Sequence, residues 1–166
     1  IIEVRGWDLN NYKKNPVVLW GHNYGTPPIA RTIKIIKDIS AKQLIATREY
    51  PEEGLYPFAD TIFNLVAGGF QRTVSVGFKP TKYVRRDALP ENHQHYVEGN
   101  PEDYFSNSGV LFQKQELLEY SDVPIPANPA ALNQAYEKGI IGKEAFGGTG
   151  MNILNIALLT RVFIFF

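Results

Sequence analysis

The most secure helical periodicity in this sequence is confined to one short stretch set among strand-like segments, which restricts the chain to a sheet-dominated α+β fold. From Pro57, the apolar residues Phe58, Ile62, Leu65 and Val66 recur at helical spacing, with Pro57 suited to a first turn and Gly68-Gly69 to a stop. Before it, Pro16-Val17-Val18-Leu19-Trp20 is a core-strand run closed by Gly21 and the turn-prone Asn23-Tyr24-Gly25. Residues 28–49 place Ile29, Ile33 and Ile35 on one parity, with Arg31 and Lys34 among the polar positions. Leu44-Ile45-Ala46 follows, predicting two strands joined near Asp38 to Lys42. After the helix, residues 70–78 read as a strand that Pro80 is expected to stop, and residues 110–123 as another with charges interleaved. A short second helix is predicted from Pro129, capped by Asn128, running through Tyr136 and ended by Gly139. Because helices interrupt the strand series rather than alternate with it, the expected architecture is an antiparallel or mixed sheet of barrel-like form.

With 166 residues and 44% hydrophobic content the chain is the size of one folded domain with a real core. No internal repeat or linker divides it. Equal numbers of basic and acidic residues, 17 each, give no field that would gather nucleic acid or an anionic membrane. The lack of cysteine removes disulfides, thiolate metal ligands and a cysteine nucleophile, and makes the cytoplasm the default compartment. Ile1 is not an initiator Met and no signal peptide follows it, so a truncated N-terminus is expected. Residues 151–166 are strongly apolar, but Asn152, Asn155 and Arg161 interrupt them. They fall short of the roughly 20 apolar residues that span a bilayer and read as a buried or dimer-forming segment.

Of three histidines, His22 stands at the end of a core strand and opens a Gly-flanked loop, where rigid scaffolding can present an imidazole to substrate. Ser75 lies in Thr73-Val74-Ser75-Val76-Gly77-Phe78, where alternation sets it on the face opposite both valines. A strand serine becomes a nucleophile only beside a base that a third group holds in the right tautomer. His93-Gln94-His95, with Glu91, Glu98, Glu102 and Asp103 near in sequence, offers a weak metal-ligand pattern on a long polar loop spanning residues 85–109. The carboxylates Glu52, Glu53, Glu116 and Glu119 have no spacing that singles out a glycosidase pair, and Gly147-Gly148-Thr149-Gly150 lacks the lysine and preceding strand of a phosphate loop.

Three segments in order carry a more specific pattern. Gly6-Trp7-Asp8-Leu9 runs into Asn15-Pro16-Val17-Val18-Leu19-Trp20-Gly21-His22; Thr73-Val74-Ser75-Val76-Gly77-Phe78 follows; the third is Glu116-Leu117-Leu118-Glu119-Tyr120-Ser121-Asp122-Val123-Pro124-Ile125-Pro126-Ala127-Asn128-Pro129. Together they resemble the prohead (capsid maturation) serine proteases of tailed phages, over about residues 4–135. The resemblance implies a herpesvirus assemblin-like fold, a mainly antiparallel β-barrel surrounded by a few helices, as a protease domain over residues 1–140. Residues 141–166 would follow as a C-terminal apolar segment of unassigned structure. It also implies a serine endopeptidase that cleaves scaffold and major capsid proteins in the host cytoplasm, inside the assembling prohead, as a homo-oligomer and without a cofactor.

By position in the motifs, His22 and Ser75 take the family's histidine and serine places, and Glu119 takes that of its acidic third member, with Glu116 and Asp122 as nearby alternatives. Backbone amides near Gly77 and the Arg72 side chain are candidate oxyanion donors, left outside the catalytic set. A catalytically inert capsid-assembly or scaffolding protein that keeps the protease fold is the alternative expectation.

Overall fold

The computed structural model describes residues 1–100, 102, 108–128, 130–133 and 160–165, the last six and Asn133 by backbone alone. Eight strands, one α-helix and three short 3-10 turns make up the regular structure of these residues. The strands are β1 (Trp7–Asp8), β2 (Val17–Trp20), β3 (Ala30–Asp38), β4 (Gln43–Glu49), β5 (Val74–Arg85), β6 (Val110–Asp122), β7 (Leu132–Asn133) and β8 (Thr160–Phe165), with α1 (Pro57–Ala67) between β4 and β5. The fold is therefore α+β, mostly sheet.

The sheet is mixed. Its ladder path runs β1-β6-β2-β3-β4-β8-β7, with β5 on β6. The long strand β6 organises it, pairing along its whole length with antiparallel β5 and sharing its other edge between two parallel partners, β1 at Gln115 and Glu116 and β2 at Tyr120 to Asp122. β1 reaches that edge because Gly6 has no side chain: a Cβ there would overlap the carbonyl oxygen of Gln113. These ladders do not close into a ring, although an isolated bridge between Thr73 and Leu132 brings the start of β5 to β7.

The β3–β4 hairpin lies where alternation predicts it, but its inward residues differ. A register shift between Thr32 and Lys34 inserts a bulge, so Ala30, Thr32 and Ile35 are buried while Ile33 turns out to solvent. In α1 the helix ends as expected, with Gly68 at its cap and Gly69 at φ 77°, but the buried stripe is Ala59, Ile62, Val66 and Ala67. Phe58 and Leu65, predicted to face inward, are partly exposed; Phe58 packs edge-on to Trp20. β5 begins later and runs longer than expected, straight past Pro80. Proline is tolerated because register shifts flank it and, among the described residues, β6 is the one strand that β5 pairs with, so the missing N–H falls at an edge or a bulge.

The predicted helix after Pro129 gives way to β7 at Leu132, and Asn128 caps a turn by accepting from the Ala130 N–H; residues 134–136 lie outside the described residues. Residues 160–165 of the apolar segment form β8 against β4 and β7, while 151–159 and 166 lie outside them. The loop after β5 is anchored by two arginines. Arg85 grips the buried Asp87 carboxylate with two N–H donors and reaches the Asn100 carbonyl, and Arg86 Nε donates to the His95 carbonyl.

One apolar core joins these elements. Trp7, Tyr12, Val18, Ile29, Leu44, Ala46, Val74, Leu117 and Tyr120 meet the inner stripe of α1. Two polar clusters enter this core with their members bonded to one another. Arg48 and Asp122, both fully buried, form an ion pair at 2.8 Å that the Tyr50 hydroxyl joins by donating to Asp122. The Thr32 hydroxyl links Tyr12 at 2.6 Å and Tyr120 at 3.3 Å. This buried layer lies directly behind the C-terminal end of β6.

Candidate active site

β2 ends in a tight turn that fixes the histidine. Gly21 and His22 both hold left-handed backbone, at φ 61° and 58°, and the Asn23 N–H donates back to the Trp20 carbonyl. Glycine adopts this conformation freely, whereas histidine does so only when its surroundings hold it there. The Gly21 N–H donates to the Asp122 carbonyl, and the His22 N–H to the Ser121 hydroxyl at 3.0 Å. The imidazole stands at the sheet's end with 37% of its side chain exposed.

Its Nδ1 lies 2.7 Å from Oε1 of Glu119, a carboxylate only 1% exposed. With the carboxylate ionised and the ring neutral, Glu119 can only accept, so the bond selects the tautomer with its proton on Nδ1 and an unshared pair on Nε2. The second carboxylate oxygen accepts from Ser121 Oγ at 2.7 Å. Glu119 thus enters the protein interior with both oxygens bonded, as a buried charge requires.

Room for that carboxylate comes from β5. Gly77 is Glu119's partner in the β5–β6 ladder, and a Cβ built on it would overlap Glu119 Oε1 and stand 3.2 Å from the Tyr24 hydroxyl. Two residues earlier, Ser75 pairs with Ser121. Residues opposite one another on antiparallel strands share a face, so Ser75, Gly77, Glu119 and Ser121 all belong to the face His22 bends over. Ser75 is half-buried and its hydroxyl makes no hydrogen bond to His22 among the described residues. Such bonds often form only once substrate is bound.

The two other acids weighed for the third position lie elsewhere. Glu116 accepts from the Asn11 side chain at the surface, and Asp122 faces the interior with Arg48. Arg72, just before β5, is exposed, and Gly77 lies within the β5–β6 ladder. The His93 and His95 rings meet at a tilt, with centroids 5.7 Å apart, on the loop after β5, and among the described residues no three metal-capable side chains come together. Two neighbours escape detection from the sequence, Ser121 and Tyr24. The Tyr24 phenol is raised above the usual tyrosine range, by partial desolvation first and by the Glu119 charge second.

No family model matches this chain, and no solved structure matches it significantly. Among curated proteins, 42 residues, 25% of the chain, are 57% identical to one of the subunits of the Na(+)-translocating NADH-quinone reductase of Chlamydia felis (strain Fe/C-56), and equally to the same subunit in Chlamydia abortus and Chlamydia caviae. The match spans only 8% of each of those relatives, and none of them is named as a protease. Among the described residues, no helix is long and apolar enough to cross a membrane.

Proposed function

We propose that this chain is a serine endopeptidase of the phage prohead protease type, acting on scaffold and major capsid proteins during capsid maturation. The observation that carries this reading is the His22–Glu119 hydrogen bond at 2.7 Å, made by a buried acid on the sheet face that also carries Ser75. The motif resemblance then supplies the substrate class, the host-cytoplasm setting inside the prohead and the homo-oligomeric state. The assemblin-like barrel belongs to the same proposal; the Thr73–Leu132 bridge supports it by drawing the start of β5, which branches from β6 near one end of the ladder path, to β7 at the other end.

In this mechanism Ser75 Oγ attacks the scissile carbonyl while His22 Nε2 takes its proton. The imidazolium, held through Nδ1–H by Glu119, returns that proton to the leaving amine. Water repeats the sequence on the acyl-enzyme and frees Ser75. The buried carboxylate keeps the ring in the productive tautomer and stabilises its positive charge.

The test is mass spectrometry of the chain co-expressed with its cognate scaffold and capsid proteins, wild type beside Ser75→Ala, with a serine-directed phosphonate as probe. Cleavage and Ser75 labelling that vanish in the variant are the expected result. Intact partners and no labelling with folded wild-type protein would overturn it and leave an inert assembly protein with the same fold.

A further inference from the structure

The residue that links the two sides of the His22–Glu119 pair is Ser121, whose side chain is fully buried and which the mechanism above does not use. Its hydroxyl accepts from the His22 backbone N–H and gives its own proton to Glu119 Oε2. A hydroxyl has one proton, so these two bonds fix its polarity and leave it nothing to donate to substrate. That separates it from Ser75, its partner across the ladder.

We infer that Ser121 is a positioning residue that locks base and acid into register, one bond holding His22 in its left-handed backbone and the other turning the Glu119 carboxylate so that Oε1 meets Nδ1. The kinetic part of this inference rests on the protease proposal. The structural part does not. A buried serine needs one partner to be satisfied; this one contacts both members of a pair that are 97 residues apart in sequence. With the hydroxyl removed, Glu119 Oε2 loses its donor in the interior and the His22 N–H loses its acceptor. The backbone of the turn's second residue is then left without that anchor.

Ser121→Ala removes the hydroxyl, and Ser121→Cys refills the space with a weak donor. Both are measured for peptide cleavage and by ¹⁵N NMR of the His22 ring. The expected result in both is a kcat lower by about 10- to 100-fold with KM held within about twofold, as displacement of a base by a fraction of an ångström produces. The ring should also move from a single Nδ1–H tautomer to a mixture. Wild-type kcat and ring signals in the folded Cys variant would overturn the inference, since volume alone would then explain the serine. If Ser121→Ala does not fold, the Cys variant decides. If neither folds, amide exchange in the wild type does, because a His22 N–H that exchanges at the rate of an open loop has no bond to Ser121, whereas protection supports one. Should the wild type neither cleave nor label at Ser75, the protease proposal fails, while tautomer and amide exchange still test the positioning role.

Discussion

Gly77 and Glu119 occupy one rung of the β5–β6 ladder, and the Glu119 carboxylate fills the space that a side chain on Gly77 would take. Gly77→Ala therefore has to expel the acid from beneath His22 or spread the two strands. The expected outcome is a loss of cleavage of about 100-fold or more, with a stability loss of about 1–3 kcal/mol from overpacking. Peptide hydrolysis beside urea unfolding measures both, and unchanged hydrolysis would contradict this placement of Glu119.

Glu119→Gln keeps the shape of the acid while exchanging one acceptor for a donor. The amide no longer enforces the Nδ1–H tautomer, so kcat is expected to fall by about 10³- to 10⁴-fold, the scale seen when a triad carboxylate is neutralised. Glu116→Gln, on the surface beside Asn11, should stay within about twofold of wild type. Equal losses in the two variants would displace Glu119 from the third position.

Asp122→Asn tests the layer behind the site. The change leaves the Arg48 guanidinium buried without its counter-charge, and removing one member of such a pair costs about 3–5 kcal/mol. A urea midpoint close to that of wild type would contradict the ion pair.

Alkaline pH should unfold this protein through its interior tyrosines. Burial pushes Tyr120 up to about 12 and holds Tyr12 and Tyr50 well above the ordinary value of 10.0. The folded phenols hold their protons more tightly than the unfolded ones. Their contribution is thus complete below about pH 10 and is lost as pH rises through the folded values, by up to about 1.4 kcal/mol per pH unit for each tyrosine. Urea midpoints are expected to be level between about pH 8 and 9.5 and to drop steeply above about pH 10. Tyr50→Phe should flatten the slope, and a level profile to about pH 11.5 would contradict the burial of these phenols.

Much of the scaffold was legible because it rests on local pattern. The strand ending at His22, the β3–β4 hairpin and the bounds of α1 follow from alternation, turn residues and the Pro57 and Gly69 stops. Where tertiary partners decide, local pattern failed. A bulge sends Ile33 outward, Trp20 draws Phe58 to the rim of α1, and Pro80 survives inside β5 because that strand lies at an edge. The parallel pairing of β6 with β1 and β2 leaves no trace in either segment alone. For the third site residue a usable signal was present. Asp122 is three residues from Glu119, an odd step that puts it on the opposite face of a regular strand, whereas for Glu116 the same step misleads, because the ladder skips Leu118 and returns Glu116 to the face of Glu119. Ser121, two residues from Glu119, shares its face by the same rule, yet nothing local says that its hydroxyl meets a histidine from another strand.

Consecutive residues of β6 belong to different parts of the protein. Glu119 and Ser121 serve the site, while Tyr120 and Asp122 serve the interior. On that division, an exchange at any of residues 119–122 strikes either the proposed chemistry or folding. On the proposed protease reading, a change in cleavage preference would have to come from segments that are not shared in this way, above all the solvent-facing loop that follows His22.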